Sequence, residues 1–145
     1  MIESISFDRV LTHNEILNLS PLSLAFLGDG VWTLLIRSYL CNHSTYKNAS
    51  LHRLTTKFVK ASFQASFYDK ISSILSKDEQ DVAKRARNVK LNTIAKHASI
   101  QDYKKATSLE AVLGLDYLTK KFDRIKEIFS FVKSEIDDCL KEGKR

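Results

Sequence analysis

Two carboxylates lie in strongly apolar surroundings, and they are the side chains of this sequence best suited to chemistry. Asp29 is the only ionisable residue of the segment PLSLAFLGDGVWTLLI, which is apolar nearly all round and is therefore predicted to be a central, buried helix. Glu110 is the only ionisable residue of ATSLEAVLGL. A carboxylate buried in such a segment needs a cation, hydrogen-bond donors or a raised pKa, because an unpaired buried charge is costly. Glycines accompany both acids: Gly28 and Gly30 flank Asp29, and Gly114 follows Glu110 by one helical turn.

These glycines indicate where two helices approach each other closely. Glycine inside a helix costs roughly 1 kcal/mol relative to alanine, so a packing or functional reason is expected for it. If the two helices cross at their glycines, Asp29 and Glu110 converge on one point. Two carboxylates and water form a site for a hard cation such as Mg²⁺, which activates water and stabilises charge on a phosphate. Alternatively, each carboxylate pairs with a buried arginine, for which Arg37, Arg85 or Arg87 would serve, or caps a neighbouring helix.

The pattern of apolar and capping residues predicts the helices that must position these acids. Ser20 and Pro21 predict a helix start, and Ser76 with Glu79 has the spacing of a capping box. The predicted helices cover about 21–40, 50–75, 77–90, 99–121 (capped by Ser99 or Asp102) and 123–141, with a connecting loop at 91–98. We therefore expect an all-α helical bundle in one domain, residues 1–145, with its core at about 19–140.

Composition excludes several other classes of protein. The 145 residues include only four glycines and one proline, too few for an all-β design that depends on tight turns. Cys41 and Cys139 have no metal-ligand or disulfide-framework spacing and suit a reducing compartment. The N-terminus has no signal-peptide pattern, and the most apolar stretch, 21–36, is too short to span a membrane. These features predict a cytoplasmic protein with no membrane partner.

Basic residues are concentrated in the middle of the chain. Residues 37–105 contain 14 Lys and Arg against 5 Asp and Glu, whereas the whole chain has a formal charge of +6. Such a segment favours a polyanionic partner, most simply nucleic acid. A solvated helix face is the alternative explanation, and composition alone does not separate the two.

Several segments resemble the ribonuclease III family. LAFLGDG (24–30) resembles the signature helix of ribonuclease III catalytic domains, and SLEAVLG (108–114) resembles their later Glu-Ala-Leu-hydrophobic-Gly motif. VKASFQA (59–65) and KRARNVKLNT (84–93) lie between them in the expected order. The resemblance covers about 19–121 and is strongest to the Mini-ribonucleases III, a subfamily that consists of the catalytic domain alone.

This resemblance implies a homodimeric, Mg²⁺-dependent endonuclease that cleaves double-stranded RNA to leave 5′-phosphate and 3′-hydroxyl ends, with Mn²⁺ able to substitute. Asp29 falls on the family's catalytic aspartate and Glu110 on its catalytic glutamate, and both would hold the metal. The longer ribonucleases III have two further acids where this sequence has Ala25 and Thr107. The same losses are typical of the mini subfamily, and they predict weak metal binding.

The resemblance also implies how RNA is held and which RNA it is. We expect no double-stranded-RNA-binding domain after the last helix, so the catalytic domain itself would contact the phosphates and 2′-hydroxyls of an A-form duplex. The expected substrate is precursor ribosomal RNA, in maturation of the large-subunit 23S species, with a ribosomal protein as a further partner. The residues expected to contact RNA are Lys84, Arg85, Arg87, Lys90, Lys96, Lys57 and Lys60.

Two other functions remain compatible with the sequence. Ala25 and Thr107 fit a catalytically inactive helical RNA-binding module of ribonuclease III descent, which would bind RNA without metal-dependent cleavage. The basic segment KRARNVK also resembles the recognition helix of a DNA-binding protein. Preference for an A-form over a B-form duplex would separate this last function from the others.

Overall fold

The computed structural model describes residues 10–90 and 99–142, and all of the regular structure in them is helical. The elements are α1 (His13–Leu17), α2 (Pro21–His43), α3 (Asn48–Val59), α4 (Ala61–Ile71), a 3-10 turn (Ser72–Ile74), α5 (Lys77–Arg87), α6 (Ile100–Leu118), α7 (Phe122–Ser130) and α8 (Lys133–Glu142). The predicted all-α class is therefore confirmed for these residues. The loop predicted at 91–98 lies outside them.

Helix α6 is the centre of the bundle, and α2, α4 and α5 pack around it. From Ala106 to Asp116, every residue of α6 except Glu110 is buried. Beside it, the indole of Trp32 in α2 contacts the ring of Phe67, with centroids 5.1 Å apart, and its Nε1 donates a hydrogen bond to the carbonyl oxygen of Phe58 at 2.9 Å. These contacts place Trp32 in the core of this chain.

The helix predicted at 50–75 is in fact two helices and a turn. The chain bends at Lys60, whose ψ of 145° is extended, so α3 ends at Val59 and α4 begins at Ala61. The bend brings Phe58 and Phe63 edge to face, with ring centroids 5.0 Å apart. Because both halves bury their apolar residues in the same core, the helical period continues across the break and hides it in the sequence.

Two further boundaries differ from the prediction. The helix predicted at 123–141 is interrupted after Ser130 and continues as α8 from Lys133. Short helix α1 is not in the predicted set, although Thr12 and Glu15 form a capping box at its start. The capping box predicted for Ser76 with Glu79 is present at the start of α5, so that prediction is confirmed.

Helix α2 is buried on one face and exposed on the other, so the expectation of a helix buried all round is wrong. Its opposite face exposes Leu22 (43%), Phe26 (85%) and Leu34 (52%), and Asp29 is exposed as well. With 23 residues, α2 is longer than the apolar stretch suggested and has the length and composition of a membrane span. Its buried face, however, packs against other helices of the bundle. That face consists of Leu24, Ala25, Gly28, Trp32, Ile36 and Leu40.

Candidate active site

Helices α2 and α6 touch backbone to backbone at two glycines. A β-carbon on Gly28 would overlap the carbonyl oxygen of Glu110 and lie 2.9 Å from its Cα. A β-carbon on Gly114 would overlap the carbonyl oxygen of Leu24 and lie 3.2 Å from its Cα. At Gly30, in contrast, a β-carbon would meet nothing within 4 Å. The predicted crossing is therefore confirmed at Gly28 and Gly114, whereas the expectation is wrong for Gly30, which takes no part in it.

This crossing brings Asp29 and Glu110 close enough to interact electrostatically. Asp29 directly follows Gly28, and the backbone that Gly28 touches is that of Glu110. Burial is the main cause that raises the pKa of Glu110 to about 8, and the charge of Asp29 raises it further. The pair thus combines an exposed carboxylate on α2 with a partly buried carboxyl group on α6.

Neither acid forms an ion pair with any cation in residues 10–90 and 99–142. The alternative in which each pairs with Arg37, Arg85 or Arg87 is therefore wrong. The guanidinium of Arg85 instead donates hydrogen bonds to two carbonyl oxygens. One is that of Leu17, the last residue of α1, at 3.0 Å, and the other is that of Leu19, just after α1, at 3.2 Å. The negative charge at the crossing is left without a protein counter-charge in this part of the chain.

The donor set at the crossing suits a hard cation that retains much of its own water. Carboxylate oxygens are ligands that Mg²⁺ accepts, and this ion commonly binds through one or two carboxylates plus water and phosphate oxygens. Asp29 and Glu110 supply those two carboxylates. Within the described residues, no group of three or more His, Cys, Asp or Glu side chains is arranged to hold a metal.

The basic residues expected to contact RNA are distributed over two surfaces. Lys84, Arg87 and Lys90 are exposed on α5 and directly after it. Lys57 and Lys60 are exposed at the end of α3, where they line a shallow groove of about 560 Å³. Arg85 is engaged with the carbonyl groups at the end of α1, as described above, and Lys96 lies outside the described residues. Contact of these side chains with RNA stays a prediction.

Helix α5 is attached to α6 next to the acidic pair. The hydroxyl of Ser108 donates a hydrogen bond to the carbonyl oxygen of Ala83 at 2.8 Å. Ser108 precedes Glu110 by two residues, and Ala83 directly precedes Lys84. The basic helix is therefore held against the same segment of α6 that carries Glu110.

A second acidic pair, Asp116 and Glu79, has no counterpart in the sequence predictions. Both side chains are buried, and Glu79 forms an ion pair with Arg124 in which Oε1 and Nη2 are 2.8 Å apart. Asp116 has the same signal in the sequence as Glu110, an acid within an apolar run. It stands one residue beyond the segment ATSLEAVLGL in which Glu110 is conspicuous.

Comparison with known proteins agrees with this architecture. The ribonuclease III domain model matches residues 22–121. A Mini-ribonuclease 3 from Thermoanaerobacter sp. is 40% identical over 90% of this chain and 92% of its own, and one from Clostridium tetani is 43% identical over 83% and 81%. A crystal structure of a protein from Fusobacterium nucleatum has a TM-score of 0.76 and 37% identity, covering 81% of this chain and 94% of that chain. The chain belongs to the ribonuclease III family of endoribonucleases, in its Mini-ribonuclease 3 branch.

Proposed function

We propose that this protein is a Mg²⁺-dependent endoribonuclease that cleaves double-stranded RNA at a site formed by Asp29 and Glu110. The observation that carries the proposal is the meeting of these two acids, without a cationic partner among the described residues, where α2 crosses α6. At this crossing, a divalent cation held by the two acids would meet a phosphate of the RNA backbone.

Asp29 and Glu110 are the residues that would hold the ion, and Mn²⁺ is expected to substitute because it accepts the same oxygen ligands. When bound, the ion supplies Lewis-acid activation of water and neutralises charge on the phosphate under attack. Ala25 and Thr107, one turn before the two acids, are buried and offer no carboxylate. The hydroxyl of Thr107 donates to the carbonyl oxygen of Tyr103 at 2.8 Å. We therefore expect weaker metal binding than in family members with four acids.

The raised pKa of Glu110 gives the site a proton to release. With a pKa of about 8, much of Glu110 is protonated at neutral pH before a cation binds. A carboxyl group must lose its proton to become a metal ligand, so proton and metal compete for it. Glu110 is thus expected to bind metal more strongly as the pH rises towards 8, whereas the exposed Asp29 carboxylate faces solvent and substrate.

The catalytic domain itself is proposed to hold the RNA duplex. Lys84 and Arg87 lie on the helix that Ser108 attaches to α6, and Lys90 follows that helix by three residues, which supports a track of positive charge next to the acidic pair. Each phosphate neutralised by such a side chain releases counterions, so binding should weaken steeply with salt. Because the guanidinium of Arg85 is already engaged, we expect it to contribute least of the α5 cations.

We further propose a homodimer formed through the exposed face of α2. Leu22, Phe26 and Leu34 are apolar and strongly exposed, and such patches on soluble proteins commonly mark protein interfaces. A second copy of the same chain is the occupant that the family resemblance supports, and an isologous contact would bury the same patch on both copies. Because Asp29 lies on the same helix, the two acidic sites would flank the dimer axis and cut opposite strands.

The proposed substrate is the precursor of 23S ribosomal RNA, processed in the cytoplasm, with a ribosomal protein that presents the duplex. The resemblance to Mini-ribonucleases III supports these three points. The positive charge of α5 is compatible with them because a structured precursor RNA supplies an A-form duplex.

The deciding experiment is cleavage of a long double-stranded RNA by wild type, Asp29→Asn and Glu110→Gln, each with Mg²⁺ or EDTA, together with a binding measurement. We expect Mg²⁺-dependent fragments from the wild type alone and comparable RNA binding by all three proteins. RNA binding by the wild type without cleavage at any Mg²⁺ or Mn²⁺ concentration would refute the proposal and favour an inactive RNA-binding module. Cleavage by both variants would show that the site lies elsewhere.

A further inference from the structure

The acidic pair of Asp116 and Glu79 lies outside the proposed active site, where α5, α6 and α7 meet. Asp116 is near the end of α6 and has an exposed fraction of 0%; Glu79 is in the first turn of α5 and is 1% exposed. Neither carboxylate oxygen of Asp116 accepts a hydrogen bond from any group in the described part of the chain. A buried ionised carboxylate with no donor at all would be strongly destabilising.

Glu79, in contrast, is surrounded by donors. Its Oε1 accepts a hydrogen bond from the backbone N–H of Ser76 at 2.8 Å, which completes the capping box of α5. The guanidinium of Arg124 in α7 donates to both carboxylate oxygens, with distances of 2.8 Å from Nη2 to Oε1 and 3.2 Å from Nε to Oε2. Arg124 Nη2 also donates to the carbonyl oxygen of Ile74 at 2.6 Å. Glu79 is therefore the ionised member of the pair.

The charges around Asp116 do not favour its ionisation. Burial is the main cause that raises the pKa of Asp116 well above its usual range, followed by the neighbouring carboxyl group of Glu79 and its negative charge. Lys121 and Arg124 act in the opposite direction, but Arg124 is shared with Glu79 and with Glu127, whose Oε1 is 3.1 Å from its Nη1. The carbonyl groups at the end of α6 add further negative potential.

We propose that Asp116 retains a proton at neutral pH and donates it in a hydrogen bond to Glu79. This hydrogen bond connects α6 to α5 and, through Arg124, to α7, and it is lost as the pH rises. The proton turns one of the two unpartnered oxygens of Asp116 into a donor, and Glu79 is the acceptor beside it. Loss of the proton would leave two buried carboxylates that share the guanidinium of Arg124.

The hydrogen bond between Asp116 and Glu79 connects the helix of the acidic site with the helix of the basic surface, and the proposed function depends on both. Asp116 is in the helix that carries Glu110, and Glu79 begins the helix that carries Lys84 and Arg87. The protonated pair and the hydrogen bond from Ser108 to Ala83 are polar connections that add to the apolar packing of α5 against α6. A rise in pH would release the first of these polar connections and leave the apolar packing in place.

The direction of the pH effect follows from which state binds the proton more tightly. Between the ordinary pKa of an aspartate, about 3.9, and the raised value in the folded protein, the folded state holds one proton more than the unfolded chain. The stabilisation of the folded state by protonated Asp116 is therefore complete below the unfolded pKa of about 3.9 and is lost as the pH rises through the raised folded pKa. Glu110 adds the same trend, so a comparison must hold Glu110 constant.

The test is thermal unfolding of wild type and Asp116→Asn between about pH 5 and pH 9, with Asp138→Asn, an exposed aspartate on α8, as the matched control. Asparagine keeps a donor for Glu79 and cannot ionise. We expect the melting temperature of the wild type to fall relative to Asp116→Asn by about 5 °C or more across this range, and Asp138→Asn to follow the wild type. A difference between wild type and Asp116→Asn that is constant with pH would overturn the proposal.

A second measurement does not depend on how well Asp116→Asn folds. In the described part of the chain, Glu110→Gln removes the other carboxyl group with a raised pKa, so at about pH 6 the buried protonated acid that remains there is Asp116. We expect the infrared spectrum of this variant in heavy water to contain the band of a protonated carboxyl group, which disappears at alkaline pH. Absence of that band at pH 6 would show that Asp116 is ionised and would refute the inference.

Discussion

Replacing Gly28 with alanine is expected to push α2 away from α6 and to disturb the acidic pair. The new β-carbon would overlap the carbonyl oxygen of Glu110 and lie 2.5 Å from its carbonyl carbon and 2.9 Å from its Cα. Carbon atoms in contact are normally about 3.5–4.0 Å apart, so the helices would have to separate by at least about 1 Å. The obstacle is backbone, which cannot rotate aside as a side chain can.

The expected magnitude combines two opposing effects. Overpacking costs about 1–3 kcal/mol, and a backbone obstacle places Gly28→Ala near the upper end. Alanine improves helix propensity by about 1 kcal/mol, which leaves a net destabilisation of about 2 kcal/mol. For a domain of this size the melting temperature should fall by roughly 4–8 °C. A shift of about 1 Å in a positioned group typically lowers the rate about 100-fold, so cleavage should fall by a similar factor.

Gly30→Ala is the matched control because it makes the same substitution two residues away, where a β-carbon meets nothing within 4 Å. Helix propensity alone acts there, so we expect a gain of about 1 kcal/mol in stability. The measurements are thermal unfolding and cleavage of double-stranded RNA at saturating Mg²⁺. If Gly28→Ala melts as high as Gly30→Ala, the close approach of the two helices is not what requires glycine at position 28.

Three further predictions concern the proposed function. At limiting Mg²⁺ the cleavage rate should rise up to about tenfold from pH 6 to pH 7 and level off above pH 8, because Glu110 must release its proton to bind metal. A cleavage rate that does not change with pH at limiting metal would contradict this prediction. Phe26→Glu should convert a dimer to a monomer in sedimentation experiments, whereas Phe131→Glu, at an exposed phenylalanine after α7, should not. Dimers that persist in Phe26→Glu would exclude this face of α2 as the dimer interface. The double variant Lys84→Ala, Arg87→Ala should bind RNA more weakly, and the slope of its log affinity against log salt should fall by the equivalent of about two phosphate contacts. An unchanged slope would show that neither residue contacts RNA phosphates.

Several features of this protein were determined by the sequence because they depend on neighbours along the chain. Capping at Ser76 and Glu79 needs residues only three positions apart, and it is present as predicted. The crossing of α2 and α6 could also be predicted, since glycine inside a helix is unfavourable unless a close approach compensates for it. The position of Asp29 and Glu110 beside these glycines then brought the two acids together.

Other features were decided only by the tertiary structure. An apolar residue pattern predicts that a surface will be covered but does not say by what, so α2 was expected to be buried although one face, including Phe26, is open. The break at Lys60 was invisible because both helices keep one apolar period against one core. Arg85 reaches the carbonyl of Leu17, and Asp116 meets Glu79, across long stretches of sequence. Such contacts depend on how helices pack, and packing is a property of the whole chain rather than of any local segment.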